Sequence, residues 1–357
     1  MTTVHAVLPD GIDDPARPSG GNVYDRRVCS GLVSLGWAVH EHAVPGFWMR
    51  PSHASFAALA GVVERIPDGA VVLLDGLIAS TAPEVLVPHA RRLRLVVLVH
   101  MPLGHRPADH DLDNARTRER AVLAAATAVV TTSEWSRRRL LALYRMPADR
   151  VHVAEPAVDA ADLATGTATG GALLCVAAVT FDKGHDVLLE ALRPISDLSW
   201  QCSCVGSLDR DPPFAEALRR RSVNDGLDDR MHFTGPRTGA DLNTSYATAD
   251  LLVLPSRAET YGMVVTEALA RGVPVVATDV GGVTEALGHV ADGTRPGLLV
   301  PPDDPAALGA ALGAWLGDAA LRWRLRRAAA ERRASLVTWS TTVSVIGRVL
   351  DGARDDG

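Results

Sequence analysis

The residues with the clearest chemical potential are two glutamates, Glu259 and Glu267, with seven residues between them. They lie between two short apolar runs, Leu251 to Leu254 and Val273 to Ala277, each typical of a buried strand. The intervening residues carry apolar positions at helical spacing and end at Gly272. Strand, helix and strand in this order predict a βαβ unit, and therefore a parallel sheet.

Ligands of such sheets bind at the carboxyl ends of the strands, so the loop after Leu254 is expected to line a binding crevice. Glu259 lies in this loop. Glu267 follows about two turns into the helix and is expected to turn its carboxylate toward the same crevice. Free amides at the helix start, around Tyr261 to Met263, would favour an anion or sugar hydroxyls. The alternative is a loop glutamate and a solvated helix glutamate with no shared role.

The string around the glutamates resembles a family signature. Pro255-Ser256, Glu259 to Glu267 and Gly272 to Gly282 match in order the Glu-x7-Glu region of family four glycosyltransferases, which are retaining, nucleotide-sugar-dependent enzymes of GT-B fold. Two glutamates at this spacing are a weak signal, whereas the ordered string is specific. The resemblance implies that Glu267 holds the ribose hydroxyls of the donor. It also implies that the donor contacts Glu259 and the residues of the helix start, Thr260, Tyr261, Gly262 and Met263.

Lys183 lies in a second segment that resembles the family, Asp182 to Leu192, which matches the pattern Lys-Gly-x-x-x-Leu-x-x-Ala. A lysine in a loop between strand and helix can neutralise a diphosphate leaving group. The family usually has an arginine five residues earlier, where this chain has Ala178. Diphosphate binding is therefore expected to depend on Lys183, on helix amides, or on another arginine such as Arg257.

Gly20 and Gly21 lie between a predicted first strand, Val4 to Leu8, and a predicted helix, Val23 to Leu35. Adjacent glycines let a backbone approach a ligand closely. They match the Gly-Gly loop of the family, and a mobile loop is the alternative. His100 ends another predicted strand that begins at Leu95. The resemblance implies that His100 contacts the donor sugar, whereas a purely structural histidine is the alternative.

Two later predicted strand ends, Cys202 to Ser207 and Met231 to Pro236, match the loops that enclose the nucleoside in the family, and the resemblance implies that the nucleoside lies against them. The second of these contains Gly235. Backbone groups from Phe233 to Arg237 could read the base, although the sequence does not say which base.

The fold class that these patterns and the resemblance predict is α/β, with two Rossmann-like parallel-sheet domains facing across a cleft. Residues 162–171 are rich in Thr and Gly, as linkers are. We expect an N-terminal, acceptor-binding domain at 1–165 and a C-terminal, nucleotide-sugar-binding domain at 171–335. A terminal helix at 336–357 is expected to cross back to the first domain.

Length, composition and net charge indicate a globular protein. The chain has 357 residues, 47% hydrophobic content and a net charge of -6, which describes a globular protein and gives no reason to expect a nucleic-acid or membrane-surface binder. The start of the sequence shows no secretory signal and no apolar run is long enough to span a membrane. The four cysteines are expected to be reduced core thiols, which indicates a cytoplasmic protein.

No metal site is predicted. His105 and His110 accompany His100 but lack the ligand spacing of helices or ribbons. Asp209 and Asp211 form an Asp-x-Asp that precedes a helix, and a helix cap is the favoured interpretation.

The predicted function is transfer of a sugar from a nucleoside diphosphate sugar to an acceptor hydroxyl with retained anomeric configuration. Glu259, His100 and Lys183 are the expected catalytic residues. No cofactor or metal is expected beyond the donor, and the acceptor is a small or lipid-linked molecule of unknown identity. The alternatives are a sugar phosphorylase or nucleotide-sugar epimerase on the same fold, or an idle nucleotide-binding module. A dinucleotide-dependent dehydrogenase is not supported, because no Gly-x-Gly-x-x-Gly motif follows a predicted strand in this sequence.

Overall fold

The computed structural model describes residues 2–16, 18–105 and 112–355. The chain forms two compact units. The first contains almost all of the chain up to Pro156 together with the residues from Val337 onward, and the second contains Ala157 to Leu336. His110, which lacks the sequence spacing of a metal ligand, lies outside the described residues.

The first unit is built on a six-stranded sheet in which all neighbouring strands are parallel, in the order β2-β1-β3-β4-β5-β6. Its strands are β1 (Thr3–Pro9), β2 (Ala38–Val44), β3 (Val71–Asp75), β4 (Arg94–Val99), β5 (Ala128–Thr131) and β6 (Val151–Val153). Its helices before the second unit are α1 (Gly20–Ser34), α2 (His53–Arg65), α3 (Gly76–Thr81), α4 (Pro83–Leu86), α5 (Leu112–Ala125) and α6 (Glu134–Tyr144).

The second unit has its own six-stranded parallel sheet, in the order β12-β11-β10-β7-β8-β9. Its strands are β7 (Ala172–Val176), β8 (Gln201–Val205), β9 (Met231–Gly235), β10 (Leu251–Leu254), β11 (Val275–Thr278) and β12 (Gly297–Val300). Its helices are α7 (His185–Leu192), α8 (Pro212–Asn224), α9 (Gly239–Ala247), α10 (Met263–Ala270), α11 (Val283–Leu287), α12 (Pro305–Gly317) and α13 (Ala319–Arg332).

The apolar runs explain these sheets. Every residue of β10 and β11 is buried, as expected for strands covered by helices on both faces. The predicted βαβ unit of β10, α10 and β11 is confirmed, with β10 spanning the predicted residues and β11 beginning two residues later than predicted. The two Rossmann-like sheets of the predicted fold class are confirmed as well.

Helix α6 begins at a cap residue, since Ser133 accepts a hydrogen bond from the amide of Ser136. Two local predictions are also confirmed. Asp211 caps α8 by accepting one from Phe214, which agrees with the cap interpretation of the Asp-x-Asp. All four cysteines are buried and free, and Cys202 and Cys204 lie on the same face of β8.

The last helix, α14 (Trp339–Asp355), belongs to the first unit. Its apolar side packs into the same core as α1 and the sheet, with Val343, Ile346 and Leu350 buried. Thr342 also donates a hydrogen bond to the carbonyl of Glu155. None of the helices in the described part of the chain combines the length and the apolar character that a membrane crossing requires.

The segment 162–171 is hydrogen-bonded along the second unit. Thr165 donates its amide to the carbonyl of Ala247, and Thr167 donates its amide to Oδ1 of Asp250. Asp250 is fully buried and also pairs with Arg326. Its buried carboxylate therefore fixes a stretch whose composition resembles that of a linker.

Candidate functional site

The loop after β10 brings Glu259 and Lys183 into direct contact. Lys183 Nζ lies 2.6 Å from Oε1 of Glu259, and the Ser256 hydroxyl donates to the same oxygen over 2.9 Å. The Glu259 side chain is 12% exposed and that of Lys183 is 30% exposed. The two residues that sequence predicted to serve one donor thus meet at the carboxyl end of β10.

Lys183 ends a 3₁₀ turn, Phe181–Lys183, and is separated from α7 by Gly184 alone. Gly184 is left-handed, with φ of 67°, and a Cβ there would lie 2.0 Å from the carbonyl oxygen of Pro255. Only glycine fits such an approach. The Lys-Gly pair therefore lets the turn that carries Lys183 press against the loop that carries Glu259.

Two further glycines hold that loop from its other side. A Cβ on Gly281 would lie 1.5 Å from the carbonyl oxygen of Glu259, and one on Gly282 would lie 2.3 Å from that of Thr260. The Gly-Gly turn after β11 thus packs against the backbone of the loop after β10, which explains its place in the sequence string.

Helix α10 begins at the other end of this loop. Gly262 is its cap residue, has φ of 93° and provides no capping side chain. Met263 is the first residue of the helix, and Tyr261 is almost entirely buried. The helix start therefore presents backbone rather than side chain, which suits close approach of an anion or a hydroxyl.

Glu267 lies on α10, and side chains on either side fix its position. Its Oε2 accepts a hydrogen bond of 2.7 Å from the hydroxyl of Tyr246 on α9. Arg271 donates to the backbone carbonyl of Glu267 and lies with its guanidinium 4.8 Å from the centre of the Tyr246 ring. The pKa of Glu267 is raised above its ordinary value. Burial is the largest cause, the hydrogen bond from Tyr246 and the charge of Arg271 oppose it, and the charge of Asp159 adds to the rise.

Arg257 is engaged by two carboxylates. It binds Asp186 through both terminal nitrogens, at 2.9 and 2.8 Å, and Asp303 through Nε at 2.5 Å. Its guanidinium also stacks 3.9 Å from the ring centre of Phe181. Its charge is already balanced, so the geometry favours a role in holding the turn before Lys183. Diphosphate binding by Arg257 stays a prediction.

In the first unit, His100 follows β4 and meets two aspartates. Its Nε2 lies 2.7 Å from Oδ1 of Asp25 on α1 and 3.9 Å from Oδ2 of Asp75 at the end of β3. Asp75 uses Oδ1 to accept the amides of Leu77 and Ile78 at the start of α3. Two helices and two strand ends thus converge on one imidazole.

Two carboxylates beside one imidazole shift the pKa values of both kinds of group. Burial lowers the pKa of His100, but the charge and hydrogen bond of Asp25, together with Asp75, raise it above its ordinary value. Burial and repulsion from Asp25 raise the pKa of Asp75 to about 6, against the attraction of His100. The cluster therefore favours an imidazolium, which is a hydrogen-bond donor at both nitrogens.

The donor atoms of Asp25, Asp75 and His100 all lie within 4.8 Å of one another, as the ligands of a metal ion would. The short contact between Asp25 and His100 is accounted for by a charge-assisted hydrogen bond alone. Absence of a metal from this cluster stays a prediction.

The predicted glycines occupy different surroundings. Gly20 and Gly21 form the first turn of α1 after the cap residue Ser19. A Cβ on Gly21 would lie 3.3 Å from the His100 ring, so these two predicted residues lie together. Gly235 ends β9 with φ of 79° and has open space where a Cβ would point. Its role in nucleoside binding stays a prediction.

Sequence reasoning missed four residues that hold the predicted ones, namely Asp25, Asp75, Asp186 and Tyr246. Ser256 belongs to the family string but had no role assigned to it. One of the four missed residues carried a signal. Asp75 directly follows the apolar run Val71 to Leu74, so the rule that selected His100 at a strand end also selects Asp75.

Two family models match the chain. Residues 170–318 match the model described as Glycosyl transferases group 1, and residues 16–162 match the model described as Glycosyltransferase Family 4. The two matches fall on different halves of the sequence and leave residues 1–15, 163–169 and 319–357 unmatched.

Several curated relatives carry the name D-inositol 3-phosphate glycosyltransferase. The protein from Jonesia denitrificans is 32% identical over 260 residues, which cover 66% of this chain and 59% of the relative. The protein from Pseudarthrobacter chlorophenolicus is 29% identical over an alignment 390 positions long, which covers 91% of this chain and 88% of the relative. The chain thus spans about three fifths of the length of the first relative.

Solved structures match over the whole chain. Sucrose-phosphate synthase from Thermosynechococcus elongatus has a TM-score of 0.81 at 21% identity, with complete coverage of both chains. The Anabaena protein HepE, solved in complex with UDP and glucose, has a TM-score of 0.77 at 18% identity, covering 98% of this chain and 100% of that one. At such identities the likeness establishes the fold.

Proposed function

The chain belongs to the group 1, family four glycosyltransferases, and we propose that it transfers a sugar from a nucleoside diphosphate sugar to an acceptor hydroxyl with retention of configuration. The observation that carries this proposal is the contact between Lys183 and Glu259 beside the start of α10. It joins a cation suited to a diphosphate and a carboxylate suited to a sugar at the carboxyl end of one strand.

Lys183 would bind the diphosphate. An ammonium group has three donors, and the contact with Glu259 uses one of them. The side chain is 30% exposed, so a phosphate can reach the remaining donors. Because Ala178 removes the arginine that the family usually provides, Lys183 is expected to supply most of the side-chain charge for the leaving group.

Glu259 and His100 would contact the sugar. Glu259 accepts a hydrogen bond from the Ser256 hydroxyl and is largely buried. Its carboxylate can therefore stabilise the positive charge that develops on the sugar as the bond to the leaving group stretches. His100, as an imidazolium, is suited to donate a hydrogen bond to a sugar hydroxyl or to a phosphate oxygen.

Glu267 would hold the nucleoside. A carboxylate has about four acceptor positions on its two oxygens, and Tyr246 occupies one on Oε2. Oε1 is left to accept from a ribose hydroxyl, in an orientation that Tyr246 fixes. The amides at the start of α10, around Gly262 and Met263, would face the phosphates.

The proposed reaction is substitution on one face of the sugar. The bond between the anomeric carbon and the diphosphate oxygen breaks, and a bond to the acceptor oxygen forms. The acceptor proton passes to the departing diphosphate, and Lys183 stabilises the remaining charge. This route agrees with the lack of a second predicted carboxylate that could act as a nucleophile.

The experiment that tests the function has two stages. First, the purified protein is titrated calorimetrically with UDP, GDP, ADP and dTDP, with and without magnesium. Selective binding of one nucleotide without metal supports the proposed site and fixes the base. Binding of none would favour the idle-module alternative.

Second, the matching nucleotide sugars are incubated with candidate acceptors, beginning with D-inositol 3-phosphate because relatives carry that name. Release of the nucleotide together with a new α- or β-linked product, assigned by NMR, reports transfer and stereochemistry. Inversion at the anomeric carbon would contradict retention. Turnover that consumes inorganic phosphate would indicate a phosphorylase, and a changed sugar without an acceptor would indicate an epimerase.

A further inference from the structure

Three histidines share one face of the two strands at the edge of the first sheet. His5 on β1 is the register partner of His40 on the edge strand β2. His42 lies two residues further along β2 and therefore points to the same face as His40. The cluster lies in mid-strand and involves none of the residues of the candidate site.

The three rings are in contact. Nδ1 of His5 lies 3.0 Å from Nε2 of His42. The ring of His5 also stacks on that of His40, with 5.1 Å between their centres, and lies 5.3 Å from the centre of the His42 ring. His5 and His42 are half-buried, whereas His40 is exposed.

The charges around the cluster are few. Arg65 at the end of α2 lies close enough to lower the pKa of His42, after the larger effects of burial and of His40. Burial, His42 and His40, in that order, lower the pKa of His5. Glu41 alternates to the other face of β2 and pairs with Arg26. The carboxylate of Glu41 is therefore not available on the face that His5, His40 and His42 share.

We propose that His5, His40 and His42 form a binding site for a divalent transition-metal ion of the zinc type. Imidazole nitrogens are preferred ligands of such ions, and three histidines with one water complete a tetrahedral shell. This inference is independent of the proposed transferase function.

The distances support the proposal. Two nitrogens that bind one zinc at about 2.0 to 2.1 Å in tetrahedral geometry are about 3.3 Å apart. The nitrogens of His5 and His42 are 3.0 Å apart, so an ion could replace their hydrogen bond with a shift of a few tenths of an ångström.

His40 would complete the set by rotating its side chain. Within the described residues, the only cluster whose donor atoms already lie within 4.8 Å of one another is Asp25, Asp75 and His100. Because His5 and His42 already meet, the ring that has to turn to converge with them is that of His40, and its exposure leaves it room to do so.

A metal ion at this site would cross-link β1 and β2 at the edge of the first sheet. Strand β2 is last in its sheet and, among the strands that the structure describes, pairs with β1 alone. An ion bound by His5 and by one or both β2 histidines would link the strands through their side chains, in addition to the backbone ladder. Binding to the folded state alone raises its stability, so the melting temperature should increase with metal concentration.

The test is calorimetric titration of the full chain with ZnCl₂, and in parallel NiCl₂, after treatment with a chelator and dialysis. The protein must carry no polyhistidine tag. The variants are H5A, H40A and H42A, with H53A as a matched control because His53 is an exposed histidine at the start of α2. H100A is included to separate binding at the Asp25, Asp75 and His100 cluster.

We expect saturable binding of one ion, weakened in H40A and H42A by at least about tenfold, since even the loss of an outer-shell partner costs 10 to 100-fold in metal affinity. H53A and H100A should bind as the parent does, and zinc should raise the melting temperature of the parent but not of H42A. Because His40 is exposed, H40A is expected to fold even if H42A does not.

Absence of saturable binding, or binding that H40A and H42A leave unchanged, would overturn the proposal. Loss of binding in H100A alone would instead assign the ion to the other cluster. None of these results depends on whether the protein binds nucleotides, so failure here and failure of the transferase proposal are distinguishable.

Discussion

The hydroxyl of Tyr246 donates a hydrogen bond of 2.7 Å to Oε2 of Glu267. This bond joins α9 to α10 and gives the half-buried carboxylate a fixed orientation. It also opposes the effect of burial on the charged form, because it lowers the pKa of Glu267. Tyr246 is thus a positioning residue for the carboxylate that we propose to bind the nucleoside.

The variant Y246F should weaken nucleotide binding. Hydrogen bonds to charged groups contribute about 1.5 to 3 kcal/mol, so a loss of roughly tenfold or more in affinity is expected from a misplaced Glu267. Removal of the hydroxyl should also raise the pKa of Glu267 further, and the protonated acid is a poorer acceptor. Calorimetric affinities at pH 5.5 and 7.5 should therefore show a larger loss at the lower pH.

The matched control is a double-mutant cycle with E267Q. If Tyr246 acts through the carboxylate, Y246F should add little to the effect of E267Q. Additive losses in the double variant would show that Tyr246 acts on binding by another route. Y144F, in the first unit, tests for a general effect of removing a tyrosine hydroxyl that donates to a glutamate, here Oε2 of Glu119, and should leave nucleotide affinity unchanged.

Glu267 could be predicted from the sequence as a site residue, whereas its partner Tyr246 could not. Glu267 was found because the ordered string from Pro255 to Gly282 carries a family pattern, and its strands were found because apolar runs of four or five residues predict buried strands. Tyr246 lies in a helix 21 residues away, and no local pattern pairs it with Glu267.

Asp25 illustrates the same limit in the first unit. It is 75 residues from His100 and lies inside α1, where neither a strand end nor a glycine turn marks it. Only the convergence of α1 with the ends of β3 and β4 brings the two together. Strand ends are readable in a sequence because apolar periodicity stops there, whereas contacts between elements depend on packing.

Glu259 and Glu267 should have separable roles. E259A is expected to abolish sugar transfer and to retain nucleotide affinity, because Glu259 contacts Lys183 and Ser256 rather than the proposed nucleoside position. E267A is expected to weaken nucleotide binding. Transfer assays and calorimetric titration of both variants provide the measurement, with circular dichroism to check folding. Equal loss of both properties in both variants would contradict the division.

Lys183 should act on the diphosphate alone. K183A is expected to weaken binding of the preferred nucleoside diphosphate by about tenfold or more, since charge-assisted hydrogen bonds are among the strong ones. Binding of the corresponding nucleoside, which has no phosphate, should be unchanged. Competition titrations of both ligands provide the comparison, and K183M serves as a control because it keeps the length of the side chain. A similar loss for nucleoside and diphosphate would indicate that the variant distorts the loop instead.

D75N should change how the stability of the first unit depends on pH. The folded pKa of Asp75 is raised to about 6, and that of His100 is raised as well. Each group therefore contributes most to stability below its unfolded pKa, and that contribution is lost as pH rises through the folded pKa. For Asp75 the loss falls between about pH 4 and pH 6 and amounts to about 2 to 3 kcal/mol at most.

Asparagine can keep the amide contacts of Asp75 Oδ1 with Leu77 and Ile78 without carrying a charge. D75N is therefore expected to melt higher than the parent at pH 7.5 and to lose less stability between pH 5 and pH 7.5. Removal of the Asp75 charge also lowers the pKa of His100, which the titration of its ring protons by NMR would report. Thermal melts of both proteins across this range provide the test. If the parent instead gains stability relative to D75N as the pH rises from 5 to 7.5, the folded protein accommodates the carboxylate of Asp75 better charged than neutral.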